Sequence, residues 1–254
     1  VRRLEYGGIH VLRQEEVCAS TGNEWCGVTD GAAYRVKRLM TEIEERDDFG
    51  RLLDIDVLDE AGAKIERTAL GFPPRACLIC GAAGGGCASS RAHSAKELYH
   101  RAMDILAEHL TFRQVDRIAE LACRALLHEV CVTPKPGLVD RTNSGAHSDM
   151  DIFTFAASAA ALTPYLRGCA LTGARMAEEP PERTLEALRS AGQSAQDDML
   201  RATGGVNTHK GAIYLMGLLC AAAGRLCAGE EEFSIERAGE LCAEMTAGEL
   251  DRLT

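Results

Sequence analysis

The sequence predicts an N-terminal α/β part, an incomplete mixed sheet, followed by an all-α multi-helical domain. Three observations predict it. Hydrophobic spacing is mixed up to about residue 93 and holds a period near 3.6 from Ser94 onward. Strand-like runs disappear at the same point. No flexible Gly/Ser linker separates the two regions, so the change of pattern at about 94–112 marks the boundary itself, giving expected domains of 1–110 and 111–254.

In chain order, "GGIHVL" and "LLDIDVL" read as strands, with "AKIERTAL" as a partner strand after the "DEAG" turn, and Ala32 to Glu45 reads as a helix. Helices follow at about 94–110, 113–130, 150–166, 182–202, 211–227 and 234–252. "AEEPPER" reads as a solvated loop whose prolines precede a helix start. No internal repeat is visible.

With 254 residues, 46% of them hydrophobic, the chain can bury a sizeable core. A formal charge of −10 argues against nucleic acid or a membrane surface as partner, because neutralising phosphates requires a basic face. An anionic substrate must therefore meet a local cationic patch. Several of the eleven cysteines sit inside apolar helical runs, and no signal segment opens the sequence, so a reducing cytoplasm is expected. The longest apolar stretch, around Ala212 to Ala223, reads as too short for a membrane span. Val1 is no initiator methionine and the last helical pattern stops without closure, so both ends read as cut.

Two constellations carry chemistry. In the first, Asp54 and Asp56 stand two apart on an expected strand, which sends both carboxylates to one face. They suit Mg²⁺ bound to phosphate oxygens, or else they are a solvent-facing edge. Cys77, Cys80, Cys87 and His93 form C-x2-C-x6-C-x5-H, four ligands of the kind tetrahedral Zn²⁺ takes, with "GAAGGG" free to wrap it; the other reading is four small packing residues. Arg75 and Arg91 flank the cluster as phosphate contacts or solvated charges.

In the second, "TPKPGLVDRTNSGAHSDMD" is a long polar loop between apolar helices. Ser148 and Asp151 read as a capping box and Asp149 as a complement to the helix dipole, which leaves Lys135, Arg141, Asn143 and His147 unexplained. "TGGVNTHKG" opens the next apolar helix with Asn207 or Thr208 as cap, leaving His209 and Lys210. Two helix starts carrying glycine, asparagine, histidine and a cation suit a polyphosphate.

"GRLLDIDVL", "GFPPRACLIC" and "CASSRAHS" together resemble the carboxy-terminal half of the citrate lyase holo-acyl-carrier-protein synthase family, also called apo-citrate lyase phosphoribosyl-dephospho-CoA transferase. "HEVCVTPKPGLVDRTNSGAHSDMD" and "TGGVNTHKGAIYLMGLLCAA" resemble the amino-terminal part of triphosphoribosyl-dephospho-CoA synthase. The two families also occur fused in this order. The resemblance implies a pathway that arms citrate lyase. ATP joins 3′-dephospho-CoA through the ribose 2′-hydroxyl with release of adenine, and the product is then attached to a serine of the apo acyl carrier protein with release of pyrophosphate.

Residue chemistry assigns the roles within that pathway. Glycosyl exchange passes through an oxocarbenium-like state, so Asp149 and Asp151 stabilise cationic charge or metal, and His147 and His209 move protons. Lys135, Arg141 and Lys210 hold the triphosphate, and Asn143 and Asn207 orient ribose. Asp54 and Asp56 read as Mg²⁺ ligands for the transfer step. The competing readings are a zinc-knob and helical scaffold without catalysis, and an all-helical metal-dependent phosphohydrolase that would release no adenine.

Overall fold

The computed structural model describes residues 1–19, 22–83, 85–229 and 232–250. They fall into two compact units, Val1–His109 and Leu110–Thr254. Positions 251–252 of the last expected helix, and Gly84 within "GAAGGG", lie outside the described residues.

In the first unit, a short helix α1 (Arg2–Tyr6) precedes an antiparallel hairpin, β1 (Val11–Ala19) and β2 (Gly22–Thr29), with Val11 opposite Thr29, Ala19 opposite Gly22 and a bulge between Val11 and Arg13. Asp30 clasps its base, accepting from the His10 backbone at 2.8 Å and meeting His10 Nδ1 at 2.7 Å. The expected "GGIHVL" strand therefore starts only at Val11. Helix α2 (Ala33–Glu44) forms as expected, and Val36 and Met40, one turn apart on its inner stripe, close a small core with Leu4 and Ile9.

The expected strands in "LLDIDVL" and "AKIERTAL" do not form a ladder. Gly50–Leu52 and Arg67–Leu70 are 3-10 turns, and one bridge, Leu58 to Lys64, links the segments around the "DEAG" turn. The cause lies on α2. Its buried Lys37 donates to the Ile55 carbonyl at 2.7 Å and its buried Glu44 accepts from the Ile55 N–H at 2.8 Å, so side chains take backbone groups that a neighbouring strand would pair. The alternation still holds: Ile55 and Val57 pack on the core while Asp54 and Asp56 are exposed. A five-residue helix, α3 (Gly86–Ser90), lies inside the Cys/His segment.

The helices expected at 94–110 and 113–130 are one, α4 (Ala95–Cys131), 37 residues and about 55 Å long. Thr111 and Phe112 lower helix propensity but neither breaks a helix, and no glycine or proline lies between them and the end. Ser94 and Glu97 close a capping box at its start, with Ser94 N donating to Glu97 at 2.7 Å and Glu97 N to Ser94 Oγ at 3.2 Å.

The second unit packs α5 (Ile152–Arg175), α6 (Pro181–Ala202), α7 (Lys210–Ala228) and α8 (Ile235–Leu250) with the second half of α4 around one core. Leu162, Leu166, Cys169 and Ala170 of α5 and Leu218, Ala221 and Ala222 of α7 are almost wholly buried, and each large aliphatic side chain contributes about 1.5–3 kcal/mol. Helix α5 accommodates Pro164 and runs nine residues beyond its expected end at 166. The apolar stripe continues to Ala174, and that packing outweighs the hydrogen bond that proline removes. The loop before α6 is organised from inside. Buried Arg225 of α7 donates to the carbonyls of Met176, Ala177 and Glu179 and, at 2.8 Å, to Thr184 Oγ1. Helix α7 is long and apolar enough to cross a membrane, with mean hydropathy 1.6, yet half of it is buried in the unit and it packs against α5 as a core helix.

Candidate functional site

In the second unit the 132–151 loop is built around Asp140. This buried carboxylate accepts from Thr142 N (2.7 Å) and Oγ1 (2.8 Å), Thr133 Oγ1 (2.8 Å), Lys135 N (3.2 Å), and Asn143 N (3.0 Å) and Nδ2 (3.2 Å). These donors, the Thr142 N–H first, hold its carboxyl well below the usual carboxylate range. Asn143, expected to orient ribose, spends its amide on Asp140 and its Oδ1 on Gly145 N at 2.8 Å. It shapes the loop.

Asp151, not Ser148, caps α5. Its carboxylate accepts from Thr154 N at 2.9 Å and Thr154 Oγ1 accepts from Asp151 N at 3.2 Å, which closes a box three residues later than expected. Ahead of it, exposed His147 and Asp149 face each other at 3.8 Å.

His209 occupies the N-cap position of α7 and is 5% exposed. Its Nδ1 meets Ser158 Oγ of α5 at 2.7 Å, and the ring of Phe155 stands edge-on at 5.0 Å. Ser158 is fully buried, so the hydroxyl and the phenyl edge leave the imidazole one orientation. Burial lowers the His209 pKa, the charge of Glu129 on α4 opposing in part, so the ring is neutral near pH 7. Its Nε2 and the neighbouring Thr208 Oγ1 are buried without a hydrogen-bond partner. Asn207 accepts from Lys210 N at 3.3 Å. Lys135 donates to Glu129 Oε1 at 2.8 Å, so the ends of α4, α5 and α7 bring Lys135, Glu129, Ser158 and His209 to one corner of the bundle.

Arg141 and Lys210 are exposed, without side-chain partners among the described residues. Neither His147 nor Asp149 shares a hydrogen bond or ion pair with His209. Sequence reasoning missed Ser158 and Asp140. Ser158 lies in an alanine-rich helical run, where a small polar residue has no pattern of its own; Asp140 is one acid within a polar loop. A separate groove of about 460 Å³ between α4 and α5 is lined mainly by apolar surface, with Asp116 and Arg167 paired across it at 2.6 Å.

In the first unit, the ligand atoms of Cys77, Cys80, Cys87 and His93 lie within 4.8 Å of one another, the only such group of metal-ligating side chains among the described residues. The Sγ atoms of Cys80 and Cys87 are 3.5 Å apart, and His93 Nε2 is buried with no partner. The Ala82 N–H and then His93 bring the Cys80 thiol down to about 6, while sharing with Cys80 raises Cys87 to about 11.

The cluster borders a cavity of about 760 Å³ whose wall includes Arg75 and Arg91. Arg75 is already engaged, donating to Asp54 at 2.9 Å and to the carbonyls of Arg51 and Leu53. Arg91 is exposed, with no side-chain partner among the described residues. Asp56 pairs with Lys64 at 2.7 Å. Both acids of the expected Mg²⁺ pair are thus countered by cations.

Comparison with known proteins divides the chain at the same place. Residues 115–253 match the family described as ATP:dephospho-CoA triphosphoribosyl transferase, and residues 2–109 match apo-citrate lyase phosphoribosyl-dephospho-CoA transferase. Protein CitXG of Haemophilus influenzae is 37% identical over 239 residues, 92% of this chain and 51% of that protein. Protein CitXG of Leuconostoc mesenteroides subsp. cremoris is 38% identical over 80% of this chain and 45% of its own length. The 2-(5''-triphosphoribosyl)-3'-dephosphocoenzyme-A synthase of Klebsiella pneumoniae is 49% identical over 49% of this chain and 41% of that protein. The chain spans about half the length of the curated relatives it matches.

Proposed function

The chain belongs to the ATP:dephospho-CoA triphosphoribosyl transferase family, and on that premise we propose that it takes part in making the citrate lyase prosthetic group and attaching it to the acyl carrier protein. In the first step the C1′–N9 bond of ATP breaks and a bond forms from the 2′-oxygen of 3′-dephospho-CoA. The hydroxyl proton passes to a base and adenine leaves protonated, giving 2′-(5″-triphosphoribosyl)-3′-dephospho-CoA.

The observation that carries this reading is His209, neutral, fixed by Ser158 and Phe155, with an unpartnered Nε2 at the start of α7. A neutral imidazole can take or give a proton near pH 7. Asp149, beside His147, stabilises the oxocarbenium-like centre, and His147 is the second proton carrier. Lys135, Arg141 and Lys210 bind the triphosphate with Mg²⁺, and Asn207 sets the amino end of α7 to face it. Asp151 and Asn143 serve by holding the helix start and the loop.

In the second step the carrier serine oxygen attacks phosphorus, the bond to pyrophosphate breaks, and the serine proton leaves to solvent. Arg91 and Arg75 meet the phosphates in the first unit's cavity, and Asp54 and Asp56, once exchanged from their arginine and lysine partners, would hold the Mg²⁺ that neutralises phosphate charge. The cytoplasm, where ATP and dephospho-CoA are present, is the location this chemistry requires.

The test is the intact mass of purified apo carrier protein after incubation with this chain, ATP, 3′-dephospho-CoA and Mg²⁺. A gain equal to the phosphoribosyl-dephospho-CoA group on serine, with pyrophosphate released, is expected. An unmodified carrier in the presence of chemically supplied triphosphoribosyl-dephospho-CoA would contradict the transfer step.

A further inference from the structure

Between Ile65 and Ile105 none of the first unit's residues whose side chains are described is buried. A segment of that length without buried side chains has no hydrophobic core of its own, and something else must fold it. Yet its backbone is ordered into turns. Cys77 N donates to Ala82 O at 2.8 Å, Gly81 N to Cys77 O at 3.0 Å and Ala92 N to Cys87 O at 3.0 Å. Gly81 takes the left-handed φ of 71° directly after the second cysteine, and Arg91 takes φ 50°, which an arginine keeps only when its surroundings hold it there.

All these turns converge on the four ligand atoms. The Sγ separation of 3.5 Å between Cys80 and Cys87 is far beyond a disulfide bond of about 2.05 Å. It is close to the edge of about 3.8 Å expected for two thiolates on tetrahedral zinc with Zn–S near 2.3 Å. A metal bond also satisfies the buried Nε2 of His93. Three thiolates and a neutral imidazole on a divalent ion leave one negative charge. Arg51 stands by, donating to the carbonyls of Ala76 and Cys77 at 3.3 and 3.0 Å.

We infer that Cys77, Cys80, Cys87 and His93 hold one Zn²⁺, and that this ion folds the 76–93 segment and so positions Arg91 on the wall of the adjacent cavity. The role of Arg91 rests on the reading of that cavity as a polyphosphate site; the zinc site does not. The ion is structural, since protein ligands fill four positions and none remains for substrate.

The experiment uses the full chain purified under reducing conditions without chelator. About one zinc per chain is expected, and Co²⁺ exchanged into the site should give tetrahedral thiolate absorption. Hydrogen exchange should show the amides of Cys77, Gly81 and Ala92 losing protection at least about tenfold when zinc is chelated and regaining it on re-addition, while α5 and α7 stay unchanged. His93→Cys, which keeps four soft ligands, should retain zinc, whereas His93→Ala should not.

A chain that takes up no zinc, a Cys80–Cys87 disulfide in the reduced preparation, or exchange at those amides indifferent to chelation would each overturn the inference. Binding of inorganic pyrophosphate should weaken about tenfold in Arg91→Ala with zinc retained. Unchanged pyrophosphate binding beside a zinc-loaded, protected segment would overturn the cavity reading alone.

Discussion

Gly173→Ala and Gly224→Ala are each expected to destabilise the helical unit by about 3 kcal/mol. Inside a helix such a change ordinarily stabilises by about 0.5–1 kcal/mol, because alanine loses less backbone entropy than glycine. The geometry here reverses the sign. A Cβ on Gly173 of α5 would lie 2.0 Å from the Ala221 carbonyl oxygen, and one on Gly224 of α7 would lie 2.0 Å from that of Ala170. Both obstacles are backbone, which no rotamer change moves aside, so α5 and α7 would have to separate along their most heavily packed contact. Gly168, also on α5 but with open space for 4 Å around the position a Cβ would take, is the control, and its alanine variant is expected to gain stability. Urea unfolding of the three variants reads this directly. Stabilisation by all three would mean that α5 and α7 do not approach so closely.

His209→Gln is expected to lower kcat/KM for adenine release by about 10²-fold or more while ATP still binds. The amide places hydrogen-bonding groups near the Nε2 position and fills most of the ring's space, while it gives up the Nδ1 contact to Ser158 and removes the proton-transfer group. Ser158→Ala, which frees the ring without deleting it, is expected to cost less and to shift the pH profile as well. Burial sets the sign of the accompanying stability effect. The folded-state pKa of His209 lies below the unfolded value of about 6.5, so below that pH the unfolded chain binds the extra proton. Stability of the helical unit is therefore present in full above about pH 6.5 and falls as the pH drops through it, and His209→Gln removes that part of the dependence. Equal adenine release by wild type and His209→Gln would leave His209 as a core residue only.

Much of the helical unit was legible because its helices each bury one stripe, and a stripe at period 3.6 survives in the sequence. The β1–β2 hairpin was not. Nearly all of its described residues are exposed on both faces, so no alternation was imposed on "RQEEV" or "NEWCG" for a reader to find. Asp54 and Asp56 show the opposite case. Their alternation with Ile55 and Val57 was correctly visible, but a strand partner was inferred where the side chains of Lys37 and Glu44 pair the backbone instead.

At the candidate site the Cys/His spacing was readable as a group of ligand-type side chains, and the structure brings the four together. What sequence could not give was three-dimensional pairing: that Asp151 spends itself on Thr154, that Asn143 serves Asp140, and that Ser158, 51 positions from His209, orients its ring.

In the proposed reaction, the loops at the starts of α5 and α7 exchange the adenine of ATP for the ribose hydroxyl of dephospho-CoA. The most direct measurement is chromatographic detection of adenine from ATP and Mg²⁺, with and without 3′-dephospho-CoA, using this chain beside a form extended to the length of its relatives. Adenine formed only when dephospho-CoA is present, and lost in His209→Gln, is the predicted result. Release of phosphate or pyrophosphate from ATP with no adenine from either form would contradict it.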